Sequence, residues 1–196
     1  MFILENNQTP ESLIKISGSK FIGQVFKIVA ENEVKQILQQ LKQLHPAATH
    51  ICFAYRLRAD GLTYRASDDG EPAGTAGLPI LNVLKSKQIT QALATVIRYY
   101  GGTNLGVSGL IQAYKLAVEE TLQISNLVLY QNLRTITLTC SIQYVDILKS
   151  KMSKLSIPFQ LSFEMQMAIM QFTVNDKLYL EFVIPLIQQP QFQIRS

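Results

Sequence analysis

Three carboxylates crowd into residues 68–71 of the stretch RASDDGEPAGTAGLP (65–79), as Asp68, Asp69 and Glu71, in a chain only 16% charged. Carboxylates so close together can hold a hard cation such as Mg²⁺, serve as a base, or shape a loop by accepting backbone N–H groups. Neighbouring Asp68 and Asp69 converge on one ion only if the chain bends sharply between them. With Gly70 behind them they read as a turn, and Arg56, Arg58 and Arg65 of the preceding segment are on hand to neutralise it. A second segment, GGTNLGVSGL (101–110), carries Gly101, Gly102, Gly106 and Gly109. Glycines let the backbone turn at positive φ and approach a ligand, and a helix start beyond them presents unpaired N–H groups and a positive dipole end. That is the chemistry of an anion seat. It is also the chemistry of a tight strand-to-helix turn, since no Lys-Ser/Thr follows the last glycine and the GxGxxG spacing is missing.

Nucleophilic and metal chemistry find little else. Cys52 and Cys140 are the two cysteines, without CxxC or Cys/His spacing, which argues against a disulfide scaffold and a structural zinc site. His50 and Cys52 lie two apart on a strand-like stretch with no partner set by spacing. His45 precedes Pro46 at a helix end, and neither Ser67 nor Ser108 sits in a GxSxG elbow. No catalytic residue, metal ligand set or cofactor is expected.

The elements that must position these segments follow from periodicity. Residues 19–30 read as a strand and 31–44 as a helix with Val34, Ile37, Leu38, Leu41 and Leu44 on one face. Strand-like stretches flank Asp60-Gly61 in residues 50–67, a hairpin signal. A helix is expected from about Pro79 through Ser86, a strand over 90–100, and a long helix over 108–123 with Ser108 as N-cap. Its stripe would be Leu110, Ile111, Tyr114, Ala117, Val118 and Leu122. Beyond Asn126 a strand (133–142), a helix (144–155, with Val145, Leu148, Met152 and Leu155 inward), a strand pair (158–174), a helix (176–189) interrupted by Pro185, and a last strand QFQI compose a ferredoxin-like unit. The lysines Lys149, Lys151 and Lys154 read as a solvated helix face.

Bulk properties set the class. The chain has 196 residues, 47% of them hydrophobic, and a formal net charge of +4. Basic and acidic residues number 12 and 10 up to residue 125 and 6 and 4 beyond it, so the excess is +2 in each part and neither is a dedicated polyanion-binding module. The start MFILENNQTPESLIKIS has no basic region leading into a long apolar core, and no run nears the roughly 20 apolar residues of a membrane span. A soluble cytoplasmic protein is the expectation.

Together, ATHICFAYRL, SDDGEPAGTAGLPIL and RYYGGTNLGVSGLIQAY, with SKFIG ahead of them, resemble the IMPACT/YigZ family over residues 10 to 125. The remainder resembles the ferredoxin-like appendage of bacterial members. The resemblance implies an α+β protein of two domains. The first, 1–128, would be a sandwich like the second domain of ribosomal protein five of the small subunit. The second, 129–196, would be ferredoxin-like, similar to domain V of elongation factor G. It implies a translation-associated protein, since eukaryotic relatives regulate translation by competing for an activator of an initiation-factor kinase. The family's motifs land on His50, Tyr55, Arg56, Ser67, Asp68, Asp69, Gly70, Glu71, Gly74, Thr75 and Gly77, then on Arg98, Tyr99, Gly101, Gly102, Leu105, Gly106, Gly109 and Tyr114. Many relatives carry a basic residue where this chain has Leu78, Asn104 and Gln112, and a glycine at Ser108, so backbone N–H groups are left as the main anion donors.

The reading is a non-enzymatic binding protein whose partner is RNA, the ribosome or a translation factor, with no membrane. Its expected surface joins Arg56, Arg65, Ser67, Asp68, Asp69, Gly70, Glu71 and Thr75 to Arg98, Tyr99, Gly101, Gly102, Asn104, Gly106, Ser108 and Gly109. Arg98 and the N–H groups near Ser108 and Gly109 would hold an anion, and the three carboxylates would orient Arg56 or Arg65. The competing class is an enzyme or sensor binding a phosphorylated small molecule or nucleotide at the Gly-rich segment. There Asp68 or Asp69 would carry Mg²⁺ or act as base, and Thr75 and Ser108 would meet phosphate.

Overall fold

A computed structural model describes residues 1–6, 10–58 and 60–195; residues 7–9, Ala59 within the expected hairpin, and Ser196 lie outside the described residues. The chain is α+β and divides into two units, Met1–Tyr130 and Gln131–Ser196. No helix among the described residues is long and apolar enough to cross a membrane.

The first unit is built on a five-stranded antiparallel sheet of order β2-β3-β6-β4-β5. Its strands are β2 (Glu11–Ile16), β3 (Ser19–Lys27), β4 (His50–Leu57), β5 (Thr63–Ser67) and β6 (Ala92–Tyr99). Period-two alternation sends residues of β3, β4 and β6 to opposite faces. Phe21, Val25, Cys52, Ala54, Ala94 and Val96 meet helices α2 (Gly77–Ser86) and α3 (Gly106–Gln123) in one core. On the reverse face Ile28, Leu57 and Leu93, then Ile51 and Ile97, pack under α1 (Glu31–Leu44) through Val34 and Leu41. Each face of the sheet thus has its own helical cover. Helix α1 begins where expected because the Glu33 side chain reaches back to accept the N–H groups of Val29 and Ala30.

Two short strands escaped the periodicity reading, β1 (Phe2–Leu4) and β7 (Leu127–Leu129), which pair with each other. At three residues neither shows an alternation. Their pairing holds Leu129 and Tyr130 in the first unit. Strand β2 was also unforeseen, because Ser12 on its core-facing side turns polar. The Ser12 hydroxyl donates to the carbonyl of Ala117 and meets Thr121 at 2.7 Å. Helix α3 can come this close because Gly23 in β3 leaves room, where a Cβ would lie 2.5 Å from the Ala117 carbonyl. Ser108 is not the cap of α3: the helix starts at Gly106 after Leu105, with no side-chain cap. Ile111, expected inward, is exposed, and buried Thr121 completes the stripe.

The second unit has the ferredoxin-like chain order. Strands β8 (Leu133–Ser141), β9 (Phe159–Glu164), β10 (Met167–Asn175) and β11 (Phe192–Ile194) stand in the order β11-β8-β10-β9, all antiparallel. Their inward residues Ile136, Leu138, Cys140, Ala168, Met170 and Phe172 pack on Leu148 and Met152 of α4 (Val145–Lys154) and on Phe182, Val183 and Leu186. Leu155 is exposed, since α4 ends at Lys154 and the turn through Ser156 (φ 53°) hands the buried place to Ile157. The expected helix over 176–189 is broken into α5 (Asp176–Leu178), a π turn (Tyr179–Val183) and α6 (Ile184–Ile187). Pro185 has no N–H, and its ring crowds the carbonyl four residues back, so the spiral widens just before it.

Gly23→Ala is expected to push α3 off the sheet and lower stability by about 1–3 kcal/mol. Urea unfolding followed by circular dichroism measures it, and an unchanged midpoint would contradict the close approach.

Candidate functional site

Four strand ends meet at one end of the first sheet. Strand β3 starts there at Ser19, β4 starts at His50, β5 ends at Ser67 and β6 ends at Tyr99, with His50 opposite Arg98 and Lys20 opposite Tyr99 in register. The acidic loop leaves β5 and the Gly-rich loop leaves β6, so both emerge at this end. Antiparallel pairing of β6 with β4, and of β4 with β5, requires it.

Each carboxylate of the acidic loop has a separate structural task. Asp68 Oδ1 accepts the N–H groups of Ala76 (3.0 Å) and Gly77 (2.8 Å), and Oδ2 accepts that of Gly74 (2.9 Å). It thereby caps the start of α2, whose own N-cap Ala76 has no side-chain acceptor. Partial burial pushes the Asp68 carboxyl up, but the donors from Gly74, Gly77 and Ala76 outweigh it and hold it below its ordinary 3.8. Asp69 sits at φ 43° in the left-handed region, and its Oδ2 accepts the N–H of Ile51 at 2.7 Å. Its carbonyl oxygen lies 2.8 Å from His50 Nδ1. The loop is thereby hooked onto the start of β4.

Glu71 turns inward, its side chain only 4% exposed. Its Oε1 accepts from Arg98 Nη1 at 2.5 Å and from the Tyr114 hydroxyl at 2.7 Å, with His50 Nε2 at 3.8 Å. The Arg98 guanidinium lies 5.3 Å from the ring centroids of both Phe21 and Tyr100. Burial, then the charges and hydrogen bonds of Cys52 and Glu71, push the Tyr114 phenol far up, so it stays a donor. Cys52 donates to the Asp68 carbonyl at 2.9 Å, and burial pushes its thiol up to about 12. A thiol that stays protonated is no nucleophile.

The Gly-rich loop is anchored at its base and open at its tip. The N–H of Gly101 donates to the Ser19 hydroxyl at 3.1 Å, and the backbones of Gly101 and Gly18 pack so closely that a Cβ on Gly101 would collide with Gly18. Tyr100 is exposed; its N–H donates to the Thr49 hydroxyl and its own hydroxyl to Asn104 Oδ1. Gly102, Asn104, Gly106 and Ser108 are exposed as well.

Several expectations are corrected. Arg98 does not face an incoming anion, because it is 4% exposed and paired with Glu71. Glu71 orients Arg98 rather than Arg56 or Arg65. Arg56 is buried under the hairpin, donating to the carbonyls of Gly61, Leu84 and Ile89. Arg65 is exposed on β5, opposite Tyr55. Tyr99 turns to α1's end, with its hydroxyl 2.8 Å from His45 Nδ1. Thr75 is buried, its hydroxyl bonded to the Pro72 carbonyl. Ser67, Asp68, Asp69, Gly70, Gly101, Gly102, Asn104, Gly106, Ser108 and Gly109 do come to the same sheet end. His50, a motif position left out of the expected surface, and Tyr100 join them. The signal for Tyr100 was an aromatic placed directly before Gly101-Gly102, where the backbone turns outward.

A family model described as the Impact N-terminal domain matches residues 17–122. The IMPACT family member YvyE of Bacillus subtilis is 43% identical over 112 residues, 57% of this chain and 52% of that protein. The IMPACT family member YigZ of Escherichia coli is 38% identical over 111 residues, 56% of this chain and 54% of that protein. The matched region is thus about half the length of these curated relatives. A solved structure described as a hypothetical protein superposes with a TM-score of 0.68 at 26% identity, covering 100% of this chain and 96% of that one.

Two variants probe the site. Glu71→Ala leaves Arg98 buried without its partner and is expected to lose about 3–5 kcal/mol in urea unfolding; a neutral result would show that the pair does not hold the loop. Asp68→Asn is expected to be less stable than wild type at pH 7. The Asp68 carboxyl is held below its unfolded value, so its contribution is complete above about pH 4 and disappears as pH falls through the folded value. The stability gap between the two proteins therefore closes toward pH 2, as thermal melts across pH would record.

Proposed function

The chain belongs to the IMPACT family, and from that membership we propose that it is a non-enzymatic protein that binds a protein component of the translation apparatus through the sheet end where its two loops emerge. One observation carries the reading: all three carboxylates are engaged with the chain's own donors. Asp68 and Asp69 hold backbone N–H groups, and Glu71 holds Arg98 and Tyr114. A metal or a proton transfer would have to break the bonds that shape the loop. Solvent-facing residues of the two loops include Asp69, Gly70, Tyr100, Gly102, Asn104 and Ser108, a turn surface with an aromatic ring. Such a surface suits recognition by shape and hydrogen bonds.

The choice of a protein partner over an RNA backbone rests on charge. Residues 67–77 and 99–109 contain no lysine or arginine, and Arg98 and Arg56 are buried. Phosphate binding gains most of its affinity from cations that release counterions, with a salt slope of about 0.9 for each phosphate neutralised. The loops offer none, and the exposed cations on the adjoining strands are Lys20 of β3 and Arg65 of β5, a sparse set for a polyanion. The link to translation is what the family resemblance implies, and it comes to this chain by that route alone.

Affinity capture from extract with and without nuclease tests the reading. A translation factor or ribosomal protein is expected to co-purify, to survive nuclease, and to be lost in a Tyr100→Ala, Asn104→Ala double variant. Capture of RNA alone, lost with nuclease, or capture indifferent to the double variant would overturn it. Thermal melts with Mg-nucleotides are expected to show no shift. Stabilisation by one nucleotide would favour the enzyme class instead.

A further inference from the structure

The free edges of the described sheets differ in how they are protected. An edge strand presents a row of unpaired N–H and C=O groups, and stable monomers blunt such edges with charge, proline or extreme shortness. Strand β2 exposes Glu11 and Lys15 and β5 exposes Arg65, while β11 is three residues long. Strand β9, FQLSFE, has no proline, is six residues long, and carries charge only at its last residue, beside the turn. Its single charge, Glu164, is matched by Arg195, which reaches it at 2.9 Å from the β11 side of the same face.

The pattern of β9 is apolar on one side and polar on the other. Phe159, Leu161 and Phe163 stand opposite Phe172, Met170 and Ala168 in register, and so on the core face. The helical layer does not reach the edge, however: Phe159 and Leu161 are half-buried and Phe163 is 56% exposed. The direction of the free backbone groups follows from the turn. A two-residue loop, Met165-Gln166, joins β9 to β10, and the pair closing such a loop is hydrogen bonded. Hydrogen-bonded and non-bonded pairs alternate from Glu164–Met167 onward, so Gln160 and Ser162 bond β10. Phe159, Leu161 and Phe163 therefore aim their N–H and C=O groups at the open edge.

We infer that β9 pairs with β9 of a second copy of this chain, antiparallel about a two-fold axis through Leu161, joining two four-stranded sheets into one of eight strands. In that register Leu161 faces its own copy and Phe159 faces Phe163 of the partner copy, at the positions whose backbone groups are free. Gln160 meets Ser162 on the polar side. The apolar strip continues unbroken across the axis, and Glu164 falls beside Pro158, so no like charges oppose. A one-residue slip would point bonded amides at each other and set apolar side chains against polar ones, which fixes the register. An isologous contact of this kind closes on itself and does not propagate. Five-residue strands bury less than the roughly 1,200 Å² at which standard interfaces begin, so the dimer is reversible and concentration-dependent.

Sedimentation velocity of the full chain across a concentration series is the test. The expected result is a monomer–dimer equilibrium that Phe163→Lys abolishes while Met165→Lys, at the fully exposed hairpin tip, leaves it unchanged. Under oxidation Leu161→Cys should cross-link to a dimer, because its copies face one another within disulfide reach. Ser162→Cys should not, since its copies lie two positions apart. Circular dichroism confirms that each variant is folded. A wild-type chain that stays monomeric to its solubility limit overturns the inference. So does association that survives Phe163→Lys, or equal cross-linking of the two cysteine variants.

Discussion

Glu71 is a carboxylate with almost no access to water, and it is kept there by a guanidinium from the end of β6 and a phenol from the middle of α3. These three groups come from a loop, a strand and a helix that are distant in sequence. An ionised carboxylate taken from water is tolerable only when charge and hydrogen bonds replace its hydration. The acidic loop must therefore lie where Arg98 and Tyr114 are, and this sets its height above the sheet. The Phe21 and Tyr100 rings flank the same guanidinium, so the residue that opens the Gly-rich loop depends on the same carboxylate.

From that constraint the rest of the sheet end follows. With Glu71 drawn inward, Asp68 is left at the mouth of α2 and takes its first amides, while Asp69 is left beside the start of β4 and takes the N–H of Ile51. Acidic residues that look like chemistry in a linear text become the internal struts of a turn. The consequence for function is a surface made mainly of backbone and small side chains. Specificity on such a surface comes from shape. The second unit follows a different economy. Among its described residues no charged side chain is buried in the core, and its distinctive feature is the β9 edge.

Much of the fold could be read directly. Helix α1, the 50–67 hairpin, β6, β8 and the β9–β10 pair follow from alternation and 3.6-residue spacing, because each buries one face in a simple core. Misreadings cluster where a local rule was overruled. Ser108 resembles a cap, yet Gly106 begins the helix a turn earlier. Ile111 has the right spacing for the stripe, yet it lies on the side turned away from the sheet. The 176–189 helix reads as continuous apart from Pro185, and the π turn that absorbs the proline has no signature of its own.

For the candidate site, composition and order alone determined that a carboxylate turn and a glycine turn exist, that each leads into a helix, and that no cysteine, histidine or serine set is spaced for catalysis. Those are local properties, settled by which residues tolerate positive φ and which side chains accept a neighbouring N–H. Only the tertiary structure decided which arginine meets which acid. A linear reading gives Arg56 or Arg65 to the carboxylates and leaves Arg98 for an anion; the antiparallel register puts the first under the hairpin, the second on an outer edge and the third against Glu71. Pairing of a buried charge depends on distance across strands, and distance across strands is not written in spacing along the chain.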